Sequence, residues 1–356
     1  MSPTVPPSVD DHHHHDHRPR RSPRRSPRRS RRRWLWLTIG TLGVAALLGL
    51  RAYTGQLGAV GVPGLAQDMV TLATSIIIES LPFVVLGIVL SIVVQAWLPD
   101  DLLMRYLPHR PVFRRAVISL FGIALPVCEC GNVPLARGLI FKGFSVPEAM
   151  TFLLAAPIIN PITILTTYQA FGFDDGILVG RILGGLAIAN IVGWLFSVHP
   201  QPNVMLTERF AAQCAVGEAH GRQSRSEKSL DIFMRESSVL MPAVFIGSLI
   251  AGAIQVAVPR DVLVSLGSNP LWSILAMMVL AFVISVCSSV DAFFILPFAS
   301  TFMPGSIVTF LVFGPIIDIK MLAIMRTTFT ARTLIQLSLI VALMSAFIGL
   351  VINYVA

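Results

Sequence analysis

The stretch Pro126-Val-Cys-Glu-Cys-Gly-Asn-Val-Pro134 places two thiols, a carboxylate and an amide within five residues of an otherwise apolar segment. Two prolines and a glycine interrupt any regular helix at the same point. Irregular backbone is tolerated at membrane depth only where it is buried in protein or lines a cavity, and charged groups there are usually functional. The stretch therefore predicts a transport site inside a membrane permease.

The composition of the chain agrees with this class. Its 356 residues are 54% hydrophobic and 13% charged, whereas soluble domains carry roughly 25% charged residues. The net charge of +8 is local, because residues 1–33 hold ten Arg and three Asp while the rest of the chain is nearly neutral. We expect an all-α polytopic membrane protein that is not an enzyme and does not bind nucleic acid.

The N-terminal region differs in composition from the rest. Residues 1–33 contain a His cluster at 12–15 followed by Arg-Arg-Ser-Pro repeats, which predicts a disordered cytoplasmic tail whose arginines contact anionic lipid. Residues 34–50 are apolar and near the lower length limit of a transmembrane helix. We expect an uncleaved N-terminal transmembrane helix there.

Apolar segments of membrane-spanning character make up most of the remaining chain, and several contain prolines or polar residues. They are residues 69–98, 116–141, 147–171, 177–198, 232–258, 272–302, 307–325 and 334–355. Residues 199–230 are polar and predict a cytoplasmic loop.

An internal repeat relates the two halves of the chain. The sequence FLLAAPIIN at 152–160 matches FLVFGPIID at 310–318 with an offset of 158. Cys128 and Cys287 match at an offset of 159, and Glu79 and Glu236 match at an offset of 157. Transporters are often built from two such repeats with the binding site between them. We therefore predict permease repeats at 69–198 and 231–356.

The distribution of charge predicts that the second repeat is inverted. If 116–141 and 272–302 are re-entrant helical hairpins, each repeat has three full spans, and nearly all loop Lys and Arg residues fall on the cytoplasmic side with the N-terminus, as the positive-inside rule requires. If both segments cross the membrane fully, the loop at 199–230 lies outside with four basic residues. We favour the inverted arrangement, in which the two broken hairpins enter from opposite faces.

The candidate site residues cluster at these breaks. Cys128 and Cys130, with Cys287 as a third ligand, are candidates to bind a soft metal or metalloid, because such ions prefer thiolates; the alternative is that small Cys residues only pack at helix breaks. The predicted substrate-binding residues are Cys128, Glu129, Cys130, Asn132, Asn160, Cys287, Ser288, Ser289, Asp291 and Asp318. The predicted proton-coupling residues are Glu79, Glu129, Glu236 and Asp291.

Structural roles compete with these assignments. Asp318 is also placed to form an ion pair with Lys320 or Arg326. Asn132 and Asn160 are suited to cap helices, and serine hydroxyls often bond to neighbouring backbone.

The motif at 126–135 and the sequence Leu-Ala-Ala-Pro-Ile-Ile-Asn-Pro161 together resemble the predicted permease family that includes the bacterial organoarsenical efflux permease ArsP and the YraQ-type proteins. The resemblance covers roughly residues 69–355. It implies a multi-pass permease of the bacterial plasma (inner) membrane but does not identify the cargo, since Glu129 stands where much of the family has a small polar residue.

The function predicted from these features is secondary transport without a cofactor. The leading hypothesis is export of a thiophilic metalloid or metal species by alternating access. The alternatives are a membrane thiol oxidoreductase that uses Cys128 and Cys130, and a permease for a small anion. The sequence leaves a homo-oligomer open.

Overall fold

The computed structural model of the protein describes residues 64–99, 107–124, 127–173, 176–200, 202–217, 225–257 and 270–355, together with Gly49. The predicted tail at 1–33 lies outside the described residues, and so does the predicted first helix at 34–50 apart from Gly49. In the part of the chain that is described, the regular structure is helical, with one isolated bridge between Leu206 and Phe329.

The helices are named α1 to α14 in chain order. In the first half they are α1 Gly64–Ile92, α2 Pro111–Ser119, α3 Phe121–Ala124, α4 Glu129–Phe141, α5 Val146–Ala155, α6 Pro161–Phe171, α7 Ile177–Ser197 and α8 Glu208–Gly217. In the second half they are α9 Arg225–Ala257, α10 Pro270–Ile284, α11 Asp291–Ile295, α12 Pro304–Ile316, α13 Ile319–Met325 and α14 Ala331–Val355.

Five helical segments among the described residues are long and apolar enough to cross a membrane. They are Gln67–Trp97, Ile177–Ser197, Arg225–Ala257, Pro304–Met325 and Ala331–Val355. All five overlap segments that hydropathy predicts. Among these five, the predicted and observed boundaries differ most at α9, which begins at Arg225 rather than at 232. A hydropathy pattern ends where the apolar sequence ends, whereas a helix continues into polar sequence if the helix propensity of that sequence is high enough.

Both predicted hairpin segments are broken where the polar residues lie. The segment at 116–141 forms the end of α2, the single turn α3 and then α4, with Cys128 in an extended conformation (φ −71°, ψ 171°) at the start of α4. The segment at 272–302 breaks between α10 and α11, where Ser285 has a positive φ of 51°. The backbone at each break is therefore irregular, as the prolines and polar residues predict.

The two Pro-Ile-Ile motifs also interrupt helices. Residues 156–160 separate α5 from α6, so the predicted span at 147–171 is two shorter helices. Ile317 and Asp318 separate α12 from α13 in the same way. At both breaks the acidic or amide side chain caps the next helix: Asn160 accepts the N–H of Ile162 and Asp318 accepts the N–H of Met321.

The two halves of the chain interlock around these breaks. Helices α1 and α9 pack along each other. In addition, α4 of the first half packs on α13 of the second, and α11 of the second packs on α6 of the first. The residues at all four breaks are consequently brought into one interior region.

A close approach of α1 and α4 makes Gly87 indispensable. A Cβ at Gly87 would lie 2.6 Å from Gly131 Cα and would also collide with the Gly131 carbonyl oxygen. Small residues permit such close backbone contact between membrane helices. We expect Gly87→Ala to lower the free energy of unfolding by about 1–3 kcal/mol or more, the cost of overpacking.

Thermal denaturation of the purified protein in detergent measures this effect. The matched control is Gly64→Ala, because a Cβ at Gly64 would meet no atom within 4 Å. An unchanged melting temperature for Gly87→Ala would contradict the packing of α1 on α4.

Candidate transport site

Three potential ligands meet at the centre of the interlocked region. The Sγ atoms of Cys128 and Cys287 and a carboxylate oxygen of Glu129 all lie within 4.8 Å of one another. The three residues are buried, with exposures of 3%, 3% and 0%. Cys128 and Glu129 stand at the N-terminus of α4, while Cys287 lies in the break before α11. These side chains therefore bring the two broken segments into direct contact.

The Glu129 carboxylate is the centre of the hydrogen bonding in this group. It accepts the hydroxyl of Ser288 at 3.2 Å and the thiol of Cys287 at 3.6 Å. It also forms an ion pair with the Lys320 ammonium, with Nζ 3.4 Å from Oε1. Lys320 is 1% exposed, and a buried charge is tolerated only when it is paired. Lys320 therefore belongs to the site as the counter-charge of Glu129.

Asn132 is a buried polar residue whose side chain makes no hydrogen bond to the described protein. It is fully buried, yet neither its Oδ1 nor its Nδ2 has a hydrogen-bond partner among the described residues. It lies three residues after Glu129 on α4, which places the two on the same helical face. A buried amide without a partner costs about 1–3 kcal/mol, so Asn132 offers both a donor and an acceptor that the described protein leaves unused. Asp318 Oδ2 is buried without a partner in the same sense.

The other predicted substrate-binding residues lie around this centre. Asn160 caps α6 and also donates from Nδ2 to the Val127 carbonyl at 3.2 Å, so it holds the break before Cys128 against α6. Cys130 is buried outside the group of three ligands, with its thiol 3.9 Å from Ser80 Oγ on α1. Ser289 receives a weak contact from the Cys287 thiol at 3.7 Å.

The residues predicted to couple protons are distributed differently. Asp291 and Glu236 are buried, and each carboxylate forms an ion pair with a buried arginine, Arg181 and Arg137 respectively. Glu79 is exposed on the surface of α1 and lies outside the central group.

Sequence reasoning missed three of the basic residues in this region. From the sequence, Lys320 is predicted only as a partner for Asp318, and no role is predicted for Arg137 or Arg181. For Arg181 a signal existed, since an arginine inside the apolar helix α7 is rare and usually paired in the protein interior. For Arg137 and Lys320 the partners are distant in sequence and follow from the packing alone.

Helices that are long and apolar enough to span a membrane, packed around a buried group of thiol, carboxylate and ammonium side chains, define a multi-pass membrane protein. The chain belongs to the ArsP_1 family, described as a predicted permease, which it matches over residues 65–354.

Curated relatives agree with this assignment. The chain is 36% identical to the UPF0718 protein YcgR of Bacillus subtilis over 263 residues, which cover 72% of this chain and 87% of YcgR. It is 32% identical over 294 residues to a Streptococcus mutans protein named as a subunit of a two-component membrane permease complex, covering 81% and 97% of the two chains. The UPF0718 protein YraQ of Escherichia coli is 27% identical over 111 residues, or 31% of this chain and 32% of YraQ. No solved structure gives a significant match.

Proposed function

We propose that the protein is a secondary permease that exports a thiophilic metal or metalloid species by alternating access. The observation that carries the proposal is the buried group formed by Cys128, Glu129 and Cys287 within 4.8 Å. Two thiols and a carboxylate are a ligand set suited to soft and borderline cations. The unpartnered amide of Asn132 one turn away adds an oxygen ligand or a hydrogen-bond donor for the cargo.

The proposed transport cycle exchanges the cargo against protons. A thiol must lose its proton to bind a metal, so binding at Cys128 and Cys287 would release protons and a pH gradient would drive release of the cargo. Of the carboxylates considered for this role, Glu129 is the one that contacts a candidate ligand directly. Asp291 and Glu236 are held by arginines, which favours a role for them in closing the site.

The proposed architecture is a pair of inverted repeats with re-entrant hairpins. This architecture is supported by the same sequence of helices and breaks in the two halves, including the matched helix caps Asn160 and Asp318. The reciprocal contacts of α4 with α13 and of α11 with α6 also suit two halves related by a pseudo-two-fold axis. Helix α4 has 13 residues and is about 20 Å long at 1.5 Å per residue, which is too short to cross the membrane. The N-terminus would then be cytoplasmic.

A second candidate function is transport of a small anion. The ammonium of Lys320 and the hydroxyl and backbone N–H of Ser288 converge on the same point, where they bind the carboxylate of Glu129. An anion that displaces Glu129 would find the same donors. This function needs neither thiol.

The relative from Streptococcus mutans suggests a partner. Because that protein is named as one subunit of a two-component permease complex, we propose that this chain also functions with a second, different subunit. Affinity purification from the native membrane with mild detergent would show one additional stoichiometric protein.

Transport assays in inside-out membrane vesicles test the function. We expect vesicles that contain the protein to accumulate Cd²⁺ or arsenite when their interior is acidic, and to lose this activity when the pH gradient is collapsed. Mg²⁺, a hard cation with oxygen preference, and vesicles without the protein are the controls. Accumulation of sulfate or phosphate in place of Cd²⁺ would favour the anion permease, and accumulation of none of these would contradict both proposals.

A further inference from the structure

The buried ion pairs of the protein share one feature. Among the described residues, three ion pairs have both side chains almost fully buried, and each joins the first half of the chain to the second. They are Glu129–Lys320, Arg137–Glu236 and Arg181–Asp291. The more exposed pair Arg114–Glu148 lies within the first half. Charge pairing is therefore concentrated at the boundary between the halves.

The Arg181–Asp291 pair is a bidentate contact between α7 and α11. The two guanidinium nitrogens donate to the two carboxylate oxygens at 2.9 and 2.6 Å. The guanidinium also donates to Thr167 on α6 at 2.7 Å. Such planar, two-point contacts have strict geometry, so they form in one relative position of the halves and are lost when the halves move apart.

The Arg137–Glu236 pair joins α4 to α9 through a single direct contact, and Glu236 is also paired with Arg235 of its own helix at 3.3 Å. Arg137 Nε donates to Glu236 at 2.7 Å and its NH1 donates to Thr328 at 3.1 Å. Its guanidinium also lies 4.2 Å from the centre of the Phe210 ring. These partners come from three different elements, and the pair is buried among them.

The two pairs lie towards opposite ends of α7. Arg137 contacts the turn at 327–328, and the segment that follows α7 is bonded to the same turn, since Thr207 donates its N–H to the Thr328 carbonyl at 2.9 Å. The C-terminal end of α7 is therefore at the Arg137 end. Arg181 precedes the last residue of α7, Ser197, by sixteen positions, which corresponds to about 24 Å along the helix axis.

The central site lies between the two pairs and is linked to Arg181 by a chain of buried hydroxyl groups. Towards Arg181, Ser288 donates to Glu129, Thr163 donates to Ser288 at 3.5 Å, and Thr167 donates to the Thr163 carbonyl at 2.7 Å. These hydroxyls are all buried. Towards Arg137, the unpartnered amide of Asn132 lies on α4 between Glu129 and Arg137.

We infer that Arg181–Asp291 and Arg137–Glu236 are the two gates of the transport path, one at each membrane face. The inference rests on the proposed transport function and adds residues to it. Both gates are closed here, which agrees with the burial of Cys128 and Cys287. Because each pair joins the two halves, a rocking motion that separates them at one end breaks one pair and leaves the other closed.

Thiol labelling from each face of the membrane tests this inference without any cargo. In a Cys214→Ser background the remaining thiols are Cys128, Cys130 and Cys287, all of which are buried. A membrane-impermeant maleimide is applied to spheroplasts for the outer face and to inside-out vesicles for the inner face. An open state is a minor state of roughly 0.1–10%, so breaking one gate should raise labelling from one face by about tenfold or more.

The expected pattern is specific to the face. Arg181→Ala should increase labelling from one face only, and Arg137→Ala should increase it from the opposite face only. The exchange Arg181→Asp with Asp291→Arg should return labelling towards the background rate. Arg114→Ala, which breaks the pair within the first half, is the matched control and should change neither rate.

Other results would overturn the inference. Labelling from both faces in each variant would indicate a general loosening of the fold, and labelling from the same face in both would place the two pairs at one end. If Arg181→Ala and Arg137→Ala do not accumulate in the membrane, Asp291→Asn and Glu236→Gln provide the same comparison with smaller changes. A face-specific pattern together with no transport of Cd²⁺ would retain the gates and reject the proposed cargo.

Discussion

Replacing Cys287 by serine is expected to weaken the binding of Cd²⁺ by about 100-fold or more, because loss of a direct ligand should cost at least as much as the 10–100-fold typical of outer-shell changes. Cys128→Ser should have a comparable effect, since its Sγ belongs to the same group of ligands. The measurement is the ultraviolet absorption of the thiolate–Cd²⁺ bond during titration of the purified protein in lipid nanodiscs.

Cys214→Ser is the matched control for this experiment. Cys214 lies on α8 and is outside the group of buried ligands, whereas Cys130 interacts with the Cys128 thiol and is not a neutral reference. We expect the replacement of Cys214 to change Cd²⁺ affinity by less than about threefold, in line with near-neutral effects outside the direct ligand shell. Equal losses for all three serine variants would contradict the assignment of Cys128 and Cys287 as the ligands.

The second large effect concerns the stability of the central ion pair. Lys320→Met should lower the free energy of unfolding by about 3–5 kcal/mol, since it leaves the fully buried Glu129 carboxylate without its counter-charge. The double variant Glu129→Gln with Lys320→Met should recover most of this loss, because neither charge remains to be solvated. Thermal denaturation of the four proteins in a double-mutant cycle gives the interaction energy.

Arg114→Met provides the reference for an ion pair of lower burial. Its side chain is 23% exposed and that of its partner Glu148 is 10% exposed, so we expect a loss of about 1 kcal/mol or less. Additive effects of Glu129→Gln and Lys320→Met would show that the two side chains do not interact in the folded protein.

Sequence patterns predicted the membrane segments well because hydropathy depends on local composition. The last helix, predicted at 334–355, is found at Ala331–Val355, and the span predicted at 177–198 is found at Ile177–Ser197. The helix breaks at the Cys-Glu-Cys and Pro-Ile-Ile motifs were also predictable, since proline removes a backbone donor and polar residues need partners.

The pairing of charges could not be predicted in the same way. Glu129 and Lys320 are 191 residues apart in sequence, and Arg181 and Asp291 are 110 apart. Which base meets which acid depends on how the helices of the two halves pack, and no local pattern encodes that. The nearest acid to Lys320 in the sequence is Asp318, yet its carboxylate caps α13 and the ammonium bonds to Glu129.

The three buried pairs that join the halves have a consequence for the biogenesis of the protein. Each half alone would carry buried charged side chains that lack their partners from the other half. The first half would hold Glu129, Arg137 and Arg181, and the second would hold Lys320, Asp291 and Glu236, of which Glu236 would keep its ion pair with Arg235. During insertion the first half is therefore incomplete until the second arrives. The buried charges of the two halves are thus complementary, and each half supplies partners that the other half lacks.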